Sequence, residues 1–174
     1  MTKNIGPMIA ASARLGLGYA ERLLGDVPAE KFGAFAKVGN GQIKSNHPAF
    51  VCGHLSLYAP KILADLGQDA SAIGPPESYD ALFSKDATCQ DDSDQKLYPS
   101  ADELRRVLIE GYTAVADALE QSDDTIFLTE NSNEVMRKKF PTTGAMHGFY
   151  VGGHFMIHMG QISAWRRAIG MGPA

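Results

Sequence analysis

A chain of 174 residues, 44% hydrophobic and with a formal net charge of −4, is the size of one domain with a full core. Its lysines and arginines are scattered, Arg137-Lys138-Lys139 being the only cluster, which argues against nucleic acid as a partner. Two cysteines, Cys52 and Cys89, are too few for a disulfide scaffold and point to a reducing cytoplasm. No apolar run approaches the ~20 residues of a membrane span. The short apolar stretch from Ile5 to Ala13 is followed directly by Arg14, which argues against a secretion signal.

In chain order, a first helix is expected from Met8 to Leu24, with Met8, Leu15, Tyr19 and Leu23 on one stripe. Gly25-Asp26-Val27-Pro28 stops it. Residues 26 to 45 read as a surface connection with a short helical turn around Ala29 to Phe35. A second helix starts near Asn46, a good N-cap, with Pro48 tolerated in the first turn. Phe50, Val51, His54, Tyr58, Ile62 and Leu66 follow at helical spacing, and Pro60 should kink or divide the helix. Residues 67 to 99 form a long crossover with a short helix at Tyr79 to Phe83. Asp86, Asp91, Asp92 and Asp94 in this crossover lack calcium-loop spacing and read as a solvated surface loop.

Ser100-Ala101-Asp102-Glu103 is a capping box that opens a third helix, with Leu104, Val107, Leu108, Tyr112, Val115 and Leu119 on its apolar stripe. Residues 125 to 143 look irregular. The fourth helix is expected from Ala145 to Ile169. Four interior glycines (Gly148, Gly152, Gly153 and Gly160) cost it on the order of 4 kcal/mol, so tertiary contact must offset them. Gly144, Gly148 and Gly152 recur every four residues and offer a smooth strip for another helix. Four helices, one long crossover and no convincing strand point to an all-α four-helix bundle in a single domain spanning residues 1–174.

All five histidines, His47, His54, His147, His154 and His158, lie in or beside helices two and four. His154 and His158 are four apart, one above the other on a helix face, where two imidazoles can grip one ion. A catalytic zinc site needs a third protein ligand. His54, on the apolar stripe of helix two, supplies it, because bundle cores build metal sites from facing helices. His147 lies about 10 Å before His154 along the axis, and His47 about 10 Å before His54, so neither can join the same ion. Whether helices two and four run parallel or antiparallel is open at this level. Phe155 and Met156 fill the inner places where a metalloprotease HExxH carries its Glu, so no built-in general base is present and no catalytic residue is assigned. Gln161 could contact the ligand or serve as a structural polar residue. Cys52 reads as a buried thiol, Arg166 and Arg167 as cations suited to the last helical turn, and Trp165 as core.

Three stretches carry a family resemblance. Asn46-His47-Pro48-Ala49-Phe50-Val51-Cys52-Gly53-His54-Leu55, then Tyr98-Pro99-Ser100, then Gly153-His154-Phe155-Met156-Ile157-His158-Met159-Gly160-Gln161 with Trp165-Arg166-Arg167, resemble the DinB-like (DinB/YfiT) superfamily. The resemblance covers nearly the whole chain in order. It implies an up-down-down-up bundle, often homodimeric, with helices two and four antiparallel. It also implies a divalent metal, zinc or nickel, held by His54, His154 and His158. Relatives with known activities include thiol-dependent isomerases and transferases, but this sequence shows no recognisable thiol-binding motif. The leading expectation is an enzyme that uses the metal to activate a small thiol, or water, for attack on a small electrophile. A non-catalytic, dimeric, stress-related protein braced by the metal is the second reading, and a metal-free bundle with satisfied histidines the third.

Overall fold

The computed structural model describes residues 3–71 and 73–174. These residues are mostly helical, with one small two-stranded sheet among them. Helix α1 (Ile5–Gly25) leads through the single turn α2 (Ala29–Phe32) to an antiparallel hairpin, β1 (Ala36–Val38) and β2 (Gly41–Ile43). Helices α3 (Pro48–Ser56) and α4 (Ala59–Asp65) follow, then the crossover with its short helix α5 (Ser78–Phe83). Helix α6 (Ala101–Gln121) is followed by the short helices α7 (Asp124–Leu128) and α8 (Glu134–Arg137). The last stretch is α9 (Thr143–Gly148), a π-helical turn (Phe149–His154) and α10 (Phe155–Ala168).

Helix α6 lies against α1 on one side and against α3 and α4 on another, while α10 borders α1 and α3. The space between them is filled by one apolar core, in which Tyr112 of α6 meets Phe155 of α10 with ring centroids 4.7 Å apart. Close approach depends on two glycines. A Cβ on Gly6 would stand 2.1 Å from the Leu119 carbonyl oxygen, and one on Gly16 would stand 3.1 Å from the Phe155 ring.

The third helix forms as its sequence dictates. Ser100 Oγ accepts the Glu103 N–H at 3.2 Å, and all six expected core residues are buried. Glu103 accepts from the Tyr79 hydroxyl at 2.9 Å, tying α5 to the start of α6. Pro60 divides the second helix: α3 ends at Ser56 and α4 begins at Ala59, because proline has no N–H for the ladder.

Several expectations are corrected. The buried face of α1 is Gly6, Ala10, Ala13, Gly16, Leu17, Ala20, Leu23 and Leu24, whereas Met8, Leu15 and Tyr19 are exposed. Small residues are needed at Gly6 and Gly16, where Leu119 of α6 and Phe155 of α10 come too close for a side chain, while Leu17, Leu23 and Leu24 fill the rest of the face. The hairpin between residues 36 and 43 was not expected, since two strands of three residues are too short to show alternation. The N-cap of α3 is His47 rather than Asn46, with Nδ1 accepting the Phe50 N–H at 3.3 Å. Asp92 is buried, not solvated. Its carboxylate accepts the backbone N–H groups of Lys96, Leu97 and Tyr98 at 2.8, 2.9 and 3.0 Å, folding the crossover into a fixed turn.

Arg166 is also buried. Its guanidinium donates to the Leu23 carbonyl at 2.9 Å and grips both oxygens of Asp26, clamping α10 to the end of α1. The glycine strip is only partly a contact surface. A Cβ on Gly144 would meet Phe127 at 2.9 Å and one on Gly152 would meet Ser12 Oγ at 3.3 Å, but one on Gly148 would meet nothing within 4 Å.

Candidate metal centre

The fourth helix is not a uniform α-helix. Its start is capped by Thr142, whose Oγ1 accepts the Ala145 N–H at 3.2 Å. At Phe149–His154 the backbone widens into a π turn, with Gly152 and Gly153 inside it, before α-helical winding resumes at Phe155. A π turn places more residues in one revolution and so rotates everything after it relative to everything before it. His154 is its last residue, and His158 lies one α-turn further on.

The consequence is convergence with α3. His154 Nε2 lies 3.3 Å from His54 Nε2 and 3.1 Å from His158 Nε2. One nitrogen from each of the three rings falls within 4.8 Å of the others, so the three are close enough to bind a metal ion. Two nitrogens each about 2.05 Å from one zinc at the tetrahedral angle would be separated by about 3.3 Å. The His154–His54 and His154–His158 separations are near that value, so the three rings are spaced as ligands of one metal ion.

The far sides of the His54 and His158 rings show why two of these nitrogens are bare. His54 Nδ1 lies 2.7 Å from the Phe83 carbonyl oxygen, and His158 Nδ1 lies 2.8 Å from Gln161 Oε1. Both neighbours are acceptors, so in each neutral ring the hydrogen sits on Nδ1 and the Nε2 lone pair is left facing the cluster. His154 Nδ1 is buried with no partner among the described residues. Burial lowers the pKa of all three. His154, repelled also by charge on its two neighbours, drops to about 3, and His158 to about 4, partly opposed by its bond to Gln161. His54 and His158 thus both turn Nε2 lone pairs towards His154 Nε2, an arrangement that calls for a hydrogen or a cation between the rings.

Aromatic rings wall the cluster. Tyr58, at the break between α3 and α4, stands with its ring centroid 4.6 Å from His154 and 5.3 Å from His54. Tyr150, from the π turn, lies 5.0 Å from Tyr58. Beside the cluster, His54 lines a cleft of ≈ 210 Å³ together with Tyr58, Lys61, Asp80, Ser84 and Asp86; His154 and His158 do not line it. Phe83 is held close to α3 by the absence of a side chain at Gly53, where a Cβ would stand 2.4 Å from the Phe83 ring. The carbonyl that orients His54 is thus set by a glycine one residue before it.

The remaining histidines stay apart from the cluster, as their spacing required. His47 is fully buried, its Nε2 donating to the Gln90 carbonyl at 2.8 Å while Nδ1 accepts from Phe50. His147, also fully buried, directs Nε2 to Asp65 Oδ2 at 3.1 Å. Cys52 is buried and its thiol pKa is pushed up to about 12 by burial, so it is no nucleophile. Trp165 is core, its Nε1–H bonded to the Ala34 carbonyl at 2.9 Å. Sequence reasoning did not find Tyr58 and Tyr150 as the walls of the centre. The two flanking signals were Pro60, which breaks the helix beside Tyr58, and the Gly152-Gly153 pair beside Tyr150. Among the described residues, no helix is long and apolar enough to cross a membrane. No protein-family model, no curated protein and no solved structure matches the chain.

Proposed function

We propose that the protein is a metal-dependent enzyme of the DinB-like kind, an up-down-down-up four-helix bundle that activates a small thiol, or water, for attack on a small electrophile. The observation that carries this reading is the convergence of three Nε2 atoms at 3.1 and 3.3 Å, with Nδ1 of His54 and His158 each facing an acceptor. The order of the motifs along the chain and the packing of α6 against α1, α3 and α4 support the bundle.

His54, His154 and His158 would hold zinc or nickel. Bound there, such an ion keeps its full charge among neutral ligands and lowers the pKa of a thiol or water beside it. The chain's own part is preparation. The Phe83 carbonyl and the Gln161 amide hold two of the rings in the tautomer that presents Nε2. Tyr58 and Tyr150 keep bulk water off one side of the cluster, and the cleft beside His54 admits the substrate on another. Among the described residues no carboxylate belongs to the cluster itself, but Asp80 and Asp86 line the cleft beside His54, so a proton released from the nucleophile would have those carboxylates or solvent to pass to.

In this reading the protein is a cytoplasmic homodimer. Exposed apolar residues on adjoining helices support a dimer: Met8, Leu15 and Tyr19 on α1 and Met156 on α10, with Tyr19 and Met156 lining one groove of ≈ 300 Å³.

The test is elemental analysis of the purified protein, followed by a screen of small thiols against a model electrophile, with and without bound metal. One zinc or nickel per chain and thiol transfer that stops on chelation support the enzyme. A bound metal with neither thiol transfer nor hydrolysis leaves the brace reading, in which the ion joins α3 to α10. No metal after loading with zinc or nickel removes both.

A further inference from the structure

Gln161 does more than face His158. Its Oε1 lies 2.8 Å from His158 Nδ1 and 3.1 Å from Asn46 Nδ2. An amide oxygen has two lone pairs and can accept from both. With Asn46 donating into that oxygen, the amide presents only acceptor capacity to His158, and His158 Nδ1 must carry the hydrogen. Nε2 is then bare, 3.1 Å from His154 Nε2.

The chain of bonds has one other self-consistent sense. Both amides can turn over, so that Gln161 donates one N–H to Asn46 Oδ1 and the other to His158 Nδ1. His158 would then carry its hydrogen on Nε2, and no lone pair would face the cluster. A ring's ability to ligate is therefore decided by the direction of a two-amide relay. Its far end, Asn46, sits in the loop between β2 and α3, on the element that leads to His54.

We infer that Asn46 and Gln161 are positioning residues that hold His158 in the Nδ1–H form and so present its Nε2 to the metal; this rests on the metal reading above. His54 needs no such relay, because a backbone carbonyl cannot turn over. The relay makes His158 the one ligand whose availability depends on side-chain amides.

The experiment pairs two measurements. The first is ¹⁵N-resolved NMR of the imidazoles in metal-free protein, which reads each tautomer directly. His158 is expected as the Nδ1–H form in the wild type. In Asn46→Asp, where residue 46 can only accept, it is expected to turn to the Nε2–H form. The second is zinc affinity by competition with a chelator. Gln161→Met, which keeps the volume and removes the acceptor, should weaken binding about 10–100-fold. Gln161→Glu, which can only accept, should bind at least as tightly as the wild type. A mere packing role for Gln161 predicts no loss in Gln161→Met. His158 found as Nε2–H in the wild type, no change of tautomer in Asn46→Asp, or equal zinc affinity in Gln161→Met would each overturn the inference. Wild-type protein that takes up no zinc overturns the metal reading instead, and the tautomer measurement still reports on the relay by itself.

Discussion

Two groups of histidines on the same pair of chain segments meet opposite fates. His47 and His147 each precede a cluster member by seven residues, and both are fully buried. Their Nε2 atoms are used up, His47 on the Gln90 carbonyl and His147 on the Asp65 carboxylate. His54 and His158 are bonded from the other nitrogen, and their Nε2 atoms meet at His154. The difference lies in the tautomer. A histidine that donates from Nε2 is a structural bolt, whereas one whose Nδ1 is anchored to an acceptor is left with a ligand lone pair. Burial alone does not separate the groups, because the bolts are the more deeply buried.

The sharpest way to break that comparison is to remove one ring from each group. His154→Ala should reduce bound zinc or nickel from stoichiometric to undetectable by elemental analysis, while His147→Ala keeps it. The His147 variant should instead lose about 1–3 kcal/mol of stability in a denaturant titration, since Asp65 loses its buried partner.

Gly53→Ala tests the support behind His54. The added methyl meets the Phe83 ring at 2.4 Å, so the protein should lose about 1–3 kcal/mol through overpacking. Because Phe83 also supplies the carbonyl on His54, metal affinity should fall with it, which chelator competition would read.

Metal and acid act on the ligand group. Zinc at about a hundred times its dissociation constant should stabilise the fold by about 2.7 kcal/mol. For a chain of this length that corresponds to a rise of about 5–10 °C in Tm, reversed by a chelator. In metal-free protein, His154 and His158 titrate at about 3 and about 4, below the ordinary value of 6.5. Between those values the unfolded chain binds protons that the folded chain refuses. Stability should therefore be fully present above about pH 6.5 and decline as the pH falls towards about 4. His47, lowered by burial, adds to the same trend. Urea midpoints at pH 7.5 and pH 5 check the sign.

The smallest expected effect is at Gly160. A Cβ there meets nothing within 4 Å, so Gly160→Ala should stabilise α10 by about 1 kcal/mol and leave metal binding unchanged.

Local rules carried far in this chain. The Ser100 cap, the apolar stripe from Leu104 to Leu119 and the break at Pro60 are consequences of residues within a few positions of one another, and each stands where the sequence put it. The i,i+4 pair of His154 and His158, and the exclusion of His47 and His147 by axial distance, follow from helix geometry alone. What local rules could not carry depends on neighbours distant in the chain. Gly6 and Gly16 stand on the inner face of α1 because Leu119 of α6 and Phe155 press against it there, while Met8, Leu15 and Tyr19 face outward. Asp92 is buried because three backbone N–H groups happen to meet it. The π turn that ends at His154 has no periodic signature, yet it sets the angle at which His154 meets His54. The residue types and their spacing along each helix determined which rings could ligate. Only the packing of α3 against α10, with Phe83 and Gln161 behind the rings, decided which nitrogen of each would face inward, because a tautomer is chosen by the acceptor across the gap and not by the chain that carries the ring.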